Sequence, residues 1–298
     1  QFSTLQSVGT TLYFQVQVNT PTLNFDKQLW KTDGTPGGTV FVKSFGGAGQ
    51  IHQILGSNGV TFLVASDGAT GRELWRTNGT GAGTVVVKDI HAGDSIISAL
   101  LNGKSAYLLP FSGGVYFTVL GTDFNSISFF KSDGTDPGTI EILSKTNGLP
   151  YGGQLRGVSN NLLYYSNGYM NVHNGTTSTQ ILASYPNGGF ADVDGTAFFA
   201  AADGLYKSNG TEAATELMLP DSSISTSQYT SFAGSLFFLR FTANEGRELW
   251  RSDGTAAGTF LVQDLLPGFR DGATSIFDSV NGALFLSGRN TVDNNELF

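Results

Sequence analysis

ELWRSDGTAAGT, residues 248–259, decides the fold, because the chain of 298 residues repeats it. Clear copies stand at Leu29 to Thr39 (LWKTDGTPGGT) and Glu73 to Thr84 (ELWRTNGTGAGT). Weaker ones stand at Phe129 to Thr139 (FFKSDGTDPGT), Met170 to Thr179 (MNVHNGTTST) and Leu205 to Thr215 (LYKSNGTEAAT), and a seventh opens at Glu296 to Phe298. All three tryptophans, Trp30, Trp75 and Trp250, occupy one repeat position, which Phe130, Tyr206 and Phe298 hold in other copies. The fourth copy has Asn171 there and is one residue shorter, so its outer hairpin is expected to be the least regular. Equivalent positions recur about every 45 residues, the span of a four-stranded propeller blade.

The pairs Asp33-Gly34, Asn78-Gly79, Asp133-Gly134, Asn174-Gly175, Asn209-Gly210 and Asp253-Gly254 are expected to join two strands, c and d. The Asp or Asn oxygen caps its own turn, Gly takes the left-handed conformation and the following Thr hydroxyl bonds nearby backbone. The residue before the aromatic is apolar in every copy (Leu29, Leu74, Phe129, Met170, Leu205, Leu249, Leu297). The two faces of strand c should therefore pack against opposite neighbouring blades, with the aromatic as a wedge.

A second pattern fills the gaps: a short strand a, a tight turn and an apolar strand b, as in IHQILGSNGVTFLVA at 51–65. Its turns hold Gly9, Asn58-Gly59, Gly113-Gly114, Asn160-Asn161, Asp194-Gly195, Gly234 and Asn281-Gly282, residues that accept positive φ and close tight hairpins. Strand b is apolar at successive positions, so both of its faces are buried. A four-stranded meander cannot cover its own faces, and radial repetition covers both. The expected fold is all-β, a single seven-bladed β-propeller of antiparallel meanders. Its blades lie near 1–46, 47–92, 93–145, 146–184, 185–220, 221–266 and 267–298, the last with strands a, b and c. For the missing strand d, a chain that continues past Phe298 is favoured over a strand supplied from elsewhere.

Composition agrees with an all-β chain: 40 glycines, and charged residues at 13% against about a quarter in ordinary domains. With 24 acidic and 16 basic residues the net charge is −8, and no Lys/Arg cluster could neutralise a row of phosphates. This argues against nucleic acid and anionic membrane as partners. Apolar runs fall short of the roughly 18 residues that span a bilayer, so membrane insertion is not expected. The absence of cysteine excludes disulfides, thiolate metal sites and a Cys nucleophile. An Asn-, Ser-, Thr- and Gly-rich, Lys-poor chain that begins at Gln1 fits a secreted or cell-surface protein, as a mature product or a cropped chain.

Catalytic signatures of the GxSxG, HExxH and P-loop types do not occur, and the chain is expected not to be an enzyme. His52, His91 and His173 fall in different blades without metal-ligand spacing. Asp192-Val-Asp194-Gly195 has part of a calcium loop's spacing but lacks the full donor string and coincides with an a–b turn, so no cofactor is expected, with calcium the weaker alternative. Arg72-Glu73 and Arg247-Glu248, with Glu296, are read as capping strand c or bridging to Asp89 and Asp264. The NGT sequons at Asn78, Asn174 and Asn209 stand where other copies have Asp, and are read as turns. Ligand-binding candidates sit in the b–c and d–a loops: Asp67, Arg72, His91, Asp94, Asp123, Asn125, Asn244, Arg247, Arg270, Asp271, Arg289 and Asp293.

On Glu248 to Thr259 followed by FLVQDLLPG, the chain resembles the ELWxxDGT repeat proteins, exported bacterial propeller-like proteins. The resemblance spans nearly the whole chain. It is specific in copies one, two and six and degenerate in three, four and five, where Trp is replaced and the leading Glu is absent. It implies a secreted or surface-displayed repeat domain, often part of a larger polypeptide, with no agreed catalytic residues. The expected function is a non-enzymatic recognition or adhesion module for an extracellular glycan or protein. The alternatives are a self-assembling subunit of an extracellular filament, sheath or surface layer, and a hydrolase or lyase with a central-channel site.

Overall fold

The computed structural model describes residues 2–19, 25–90, 95–98, 108–121, 127–144, 154–221, 224–291 and 294–298. Within it each D/N-G-T segment folds as one hydrogen-bonded unit. In the first, Asp33 Oδ1 accepts from Thr35 N and Thr35 Oγ1 at 2.9 and 2.7 Å. Thr35 Oγ1 in turn accepts from Gly38 N at 3.0 Å, and Thr39 Oγ1 donates to Thr35 O at 2.9 Å. Thr39 also pairs with Thr32 Oγ1 at 2.7 Å, and Thr32 Oγ1 accepts from Gly34 N at 3.0 Å. The same bonds recur in Thr77–Thr84, Ser132–Thr139 and Ser252–Thr259. In the fourth copy His173 Nδ1 takes the hydroxyl's place and accepts from Gly175 N at 2.9 Å. The sequons at Asn78, Asn174 and Asn209 are turn residues of this kind.

The chain divides into two compact units, Gln1–Tyr151 and Gly152–Phe298. The first begins with the antiparallel sheet β1 (Phe2–Val8), β2 (Thr11–Asn19), β3 (Phe25–Thr32) and β4 (Val40–Ser44). Next come β5 (Gln50–Ser57), β6 (Val60–Ser66), β7 (Gly71–Thr77) and β8 (Val85–Lys88). The third blade holds β9 (Ser95–Ser98), β10 (Leu108–Phe111), β11 (Gly114–Leu120), β12 (Ile127–Ser132) and β13 (Ile140–Leu143). Both β9 and β10 pair with β11, so its strand a is in two pieces, and β9 also runs parallel to β7, joining the second and third sheets.

The second unit has three four-stranded sheets and one of three strands. They are β14 (Gln154–Ser159), β15 (Leu162–Ser166), β16 (Met170–His173) and β17 (Ser178–Leu182), then β18 (Pro186–Val193), β19 (Thr196–Ala201), β20 (Gly204–Ser208) and β21 (Glu216–Pro220). The sixth blade is β22 (Ile224–Phe232), β23 (Ser235–Thr242), β24 (Gly246–Ser252) and β25 (Phe260–Gln263), and the seventh β26 (Ala273–Val280), β27 (Ala283–Thr291) and β28 (Asn294–Leu297). The fold is a β-propeller of seven consecutive antiparallel blades, the last three-stranded. The outer hairpin of the fourth blade departs from the shared turn pattern, as expected from its shorter copy: His173 and Asn174 close it with bonds of their own, while the third blade is irregular in strand a.

Positive φ occurs in the a–b turns at Gly9, Asn58-Gly59, Gly114, Asn160-Asn161, Asp194-Gly195, Ala233-Gly234 and Asn281-Gly282, as the turn residues required. Strand b is buried on both faces in β6, β11 and β19. The two faces of strand c separate as expected. Leu74 lies in the core between the second and third blades with Phe117 and Phe130, whereas Trp75 lies between the first and second with Leu29 and Ile51. In the second unit Leu205 and Tyr206 divide the same way. Each large side chain so buried contributes about 1.5–3 kcal/mol. These cores explain why a single meander would not be stable alone.

Two links between blades were not evident in the sequence. The Gly of the c–d turn presses on strand b of the preceding blade: a side chain at Gly79 would meet Tyr13 Oη at 3.0 Å, one at Gly134 would meet Val60 at 3.2 Å and one at Gly210 would meet Leu162 at 2.2 Å. Polar side chains on strand a also reach the next blade's strand a. Gln53 Oε1 accepts from Leu108 N at 2.9 Å, Arg156 Nη2 donates to Pro186 O at 2.7 Å and Gln228 Oε1 accepts from Ile276 N at 2.5 Å.

Candidate functional site

The b–c turn of the sixth blade packs on the loop 264–272 that leads into the seventh. Glu245 N donates to Thr242 Oγ1 at 3.1 Å, closing the turn. Gly246 follows with φ 71°, and a Cβ there would lie 2.1 Å from Arg270 O, so only glycine allows this approach. Arg247 N then donates to Asp271 Oδ1 at 3.0 Å, Gly272 N donates to Arg247 O at 3.1 Å and Arg289 N donates to Gly272 O at 2.6 Å. The structure thus brings Arg247, Arg270, Asp271 and Arg289 together, with Asn244 exposed at the turn. Arg289 Nε donates to Asn295 Oδ1 at 2.9 Å.

Beneath this surface Glu248 is fully buried, and its Oε2 accepts from Leu265 N at 3.2 Å. Its Oε1 lies where a Gly272 side chain would begin, 2.0 Å from that Cβ position. Burial pushes the Glu248 carboxyl up to about 7, and the charge of Asp264 pushes the same way, against the backbone N–H groups of Leu265, Gly272 and Leu266. Sequence reasoning read Glu248 as a strand cap or a bridge to Asp264; it accepts instead from the residue after Asp264. Glu248 can exchange a proton near neutrality, but it has no exposed surface on which to meet a substrate.

The remaining candidates are structural or lie elsewhere. Asp67 Oδ1 accepts from Ala69 N, Thr70 N and Thr70 Oγ1 at 2.9, 3.1 and 3.1 Å. Partial burial alone would raise the Asp67 carboxyl, but these bonds hold it below the usual range. Arg72 Nη1 donates to Ile97 O at 3.1 Å, which ties the second blade to the third. Asp192 Oδ1 accepts from Ser159 Oγ at 2.5 Å, and Asp194 is an a–b turn residue. His91, Asp94, Asp123, Asn125 and Asp293 lie outside the described residues. Among the described residues no three His, Asp or Glu side chains are grouped to hold a metal ion. No helix among them is long and apolar enough to cross a membrane.

Among the described residues each unit has a cleft beside a c–d turn, at equivalent repeat positions. One is lined by Tyr13, Gly59, Arg76 and Asn78, the other by Asp194, Phe198, Lys207, Gly234 and Asp253. Their repetition follows from the c–d turn of one blade resting on strand b of the blade before it.

No protein-family model and no curated protein sequence matches the chain. Solved structures do resemble it. The chain aligns over 100% of its length with 46% of a structure from a study of two prolyl endopeptidases, at 13% identity and a TM-score of 0.56. It aligns over 100% of its length with 94% of the β-propeller domain of the Trilobed protease from Pyrococcus furiosus, at 10% identity and a TM-score of 0.51. The acylaminoacyl peptidase of Pyrococcus horikoshii follows, with 99% of this chain on 50% of that one, 10% identity and a TM-score of 0.50. The chain therefore spans about half the length of the two whole peptidases, and at these identities the likeness shows the fold alone. It corrects the expectation of a recognition or adhesion module, since these similar propellers are parts of peptidases. The physical reason for that misreading is that the repeat residues encode how sheets stack, while surface chemistry is written in loops that do not repeat.

Proposed function

We propose that the chain is the propeller module of a larger peptidase-type hydrolase, where it restricts and positions peptides without performing the chemistry. The observation that carries this reading is the alignment of the whole chain with under half of a prolyl endopeptidase structure. The site supports it as well: Glu248, whose carboxyl is raised to about 7, is enclosed by the loop that it organises and makes no contact with solvent. The repeat is of the ELWxxDGT type, and the polypeptide works outside the cytoplasm, a reading supported by its cysteine-free, Asn-, Ser-, Thr- and Gly-rich composition.

The test compares the full natural polypeptide with residues 1–298 alone, on fluorogenic peptides of graded length and with an active-site-directed hydrolase probe. The full polypeptide is expected to cleave short peptides in preference to long ones and to take the label, while residues 1–298 do neither. A full polypeptide that cleaves no peptide and takes no label overturns the proposal.

A further inference from the structure

Glu248 is buried without a cation to balance it. Its cross-strand partner on β23 is Arg240, but Arg240 Nε donates to Asp221 at 2.7 Å and its guanidinium lies over the Trp250 ring at 4.3 Å. The group beside Glu248 on the loop is another acid, Asp264. Among the described residues Glu248 Oε1 and Asp264 Oδ1 are both buried without a hydrogen-bond partner. The other charged groups around the loop are Arg247, whose backbone holds Asp271 and Gly272; Glu245, which is bonded to Thr242; Arg270, which is exposed; and Arg289, which is bonded to Asn295. The Glu248 carboxyl is enclosed with this second acid beside it, and both burial and that neighbouring charge disfavour its ionised form.

The repeat points the same way. The blade-two equivalents of Glu248 and Asp264 are Glu73 and Asp89, whereas the first blade has Gln28 and Ser44 and the third has Ser128 and Ser144. Both acids are present in the second and sixth blades, and both are absent from the first and third.

We infer that Glu248 is a proton-operated latch: in its protonated form it holds the loop 264–272 against the sixth blade, and on ionising it releases that loop. The loop carries Phe269, which is 72% exposed, and Arg270, so release would move the most prominent apolar side chain of this edge. Backbone bonds from Leu265, Gly272 and Arg289 close the loop, and water can reach an ionised Glu248 only when these open. Because the carboxyl is raised from 4.5 to about 7 in the closed form, the closed form is fully favoured below about 4.5 and loses that advantage as pH rises through about 7.

Hydrogen exchange of the segment 264–272, measured by mass spectrometry on the whole chain from pH 5.5 to 8.5 and corrected for intrinsic rates, tests this. Protection is expected to fall by up to about tenfold for each pH unit between pH 5.5 and about 7 and to level off above about 7, and Glu248→Gln is expected to hold it level within about twofold. Protection that is level in the unaltered chain, or that falls equally in Glu248→Gln, overturns the inference. If Glu248→Gln does not fold, Asp264→Asn decides: removing the neighbouring charge must move the pH at which protection stops falling to a lower value, and an unmoved value overturns it.

Discussion

The carboxylate of Asp253 fills the space into which a side chain at Gly258 would project: a Cβ there would lie 2.0 Å from Asp253 Oδ1. Gly38, Gly83 and Gly138 stand in the same relation to Asp33, Asn78 and Asp133. This accounts for the glycine of the xxGT half of the motif. The fifth copy carries Ala214 there, its N–H reaches Thr211 Oγ1 only at 3.3 Å, and the segment Glu212–Ala214 tightens into a single 3-10 turn. Gly258→Ala is expected to destabilise the protein by about 1–3 kcal/mol, because the neighbour that must move is the cap itself. Ala214→Gly should cost less than Gly258→Ala, since that turn has already adjusted. Urea unfolding of the two variants checks the order.

The hydroxyl before each D/N-G pair differs in burial from copy to copy. Ser132 and Ser252 are fully buried, whereas Thr32 is partly exposed. Ser252→Ala removes the acceptor of Gly254 N and leaves a buried donor unsatisfied, which costs about 1–3 kcal/mol. Thr32→Ala should cost under about 1 kcal/mol, because water can replace the lost bond. Equal losses in the two variants would contradict this.

Burial, with the nearby Arg72 charge, pulls the His52 imidazole down from 6.5 to about 4. The folded protein therefore binds fewer protons here than the unfolded chain between those values. The stability from a neutral His52 is present above about 6.5 and is lost as pH falls through about 4. Thermal melts from pH 7 to 4 should show a steeper fall for the unaltered chain than for His52→Gln.

Arg240 combines a 2.7 Å bond to Asp221 with its place over Trp250. Lysine keeps the charge and loses the planar stacking, so Arg240→Lys should cost about 1–2 kcal/mol and change the Trp250 emission. Unchanged stability with unchanged emission would show that the stacking contributes nothing.

Much of this was legible in the sequence, for local reasons. A turn is chosen within a few residues, so Asn58-Gly59 and Asp33-Gly34 announced their conformations, and the apolar run in TFLVA announced a strand covered on both faces. The hydroxyl at Thr32, Thr77, Ser132, Ser208 and Ser252 was also visible in every one of those copies, and its place two residues before the Gly could have been read as a cap. The third blade's split strand a was not legible, because it depends on how the residues after Asp89 pair.

The candidate site was less legible. Its residue types were found, but nothing in the sequence says that Asp271 reaches back 24 positions to Arg247 N, or that Asp67 is spent on its own turn. Repetition and turn chemistry, which act over short range, determined the meander, its copies and their propeller stacking. Only the tertiary structure decided which loops meet, which glutamate is enclosed and where Arg240 is committed, because each depends on the distance between side chains that packing alone brings together.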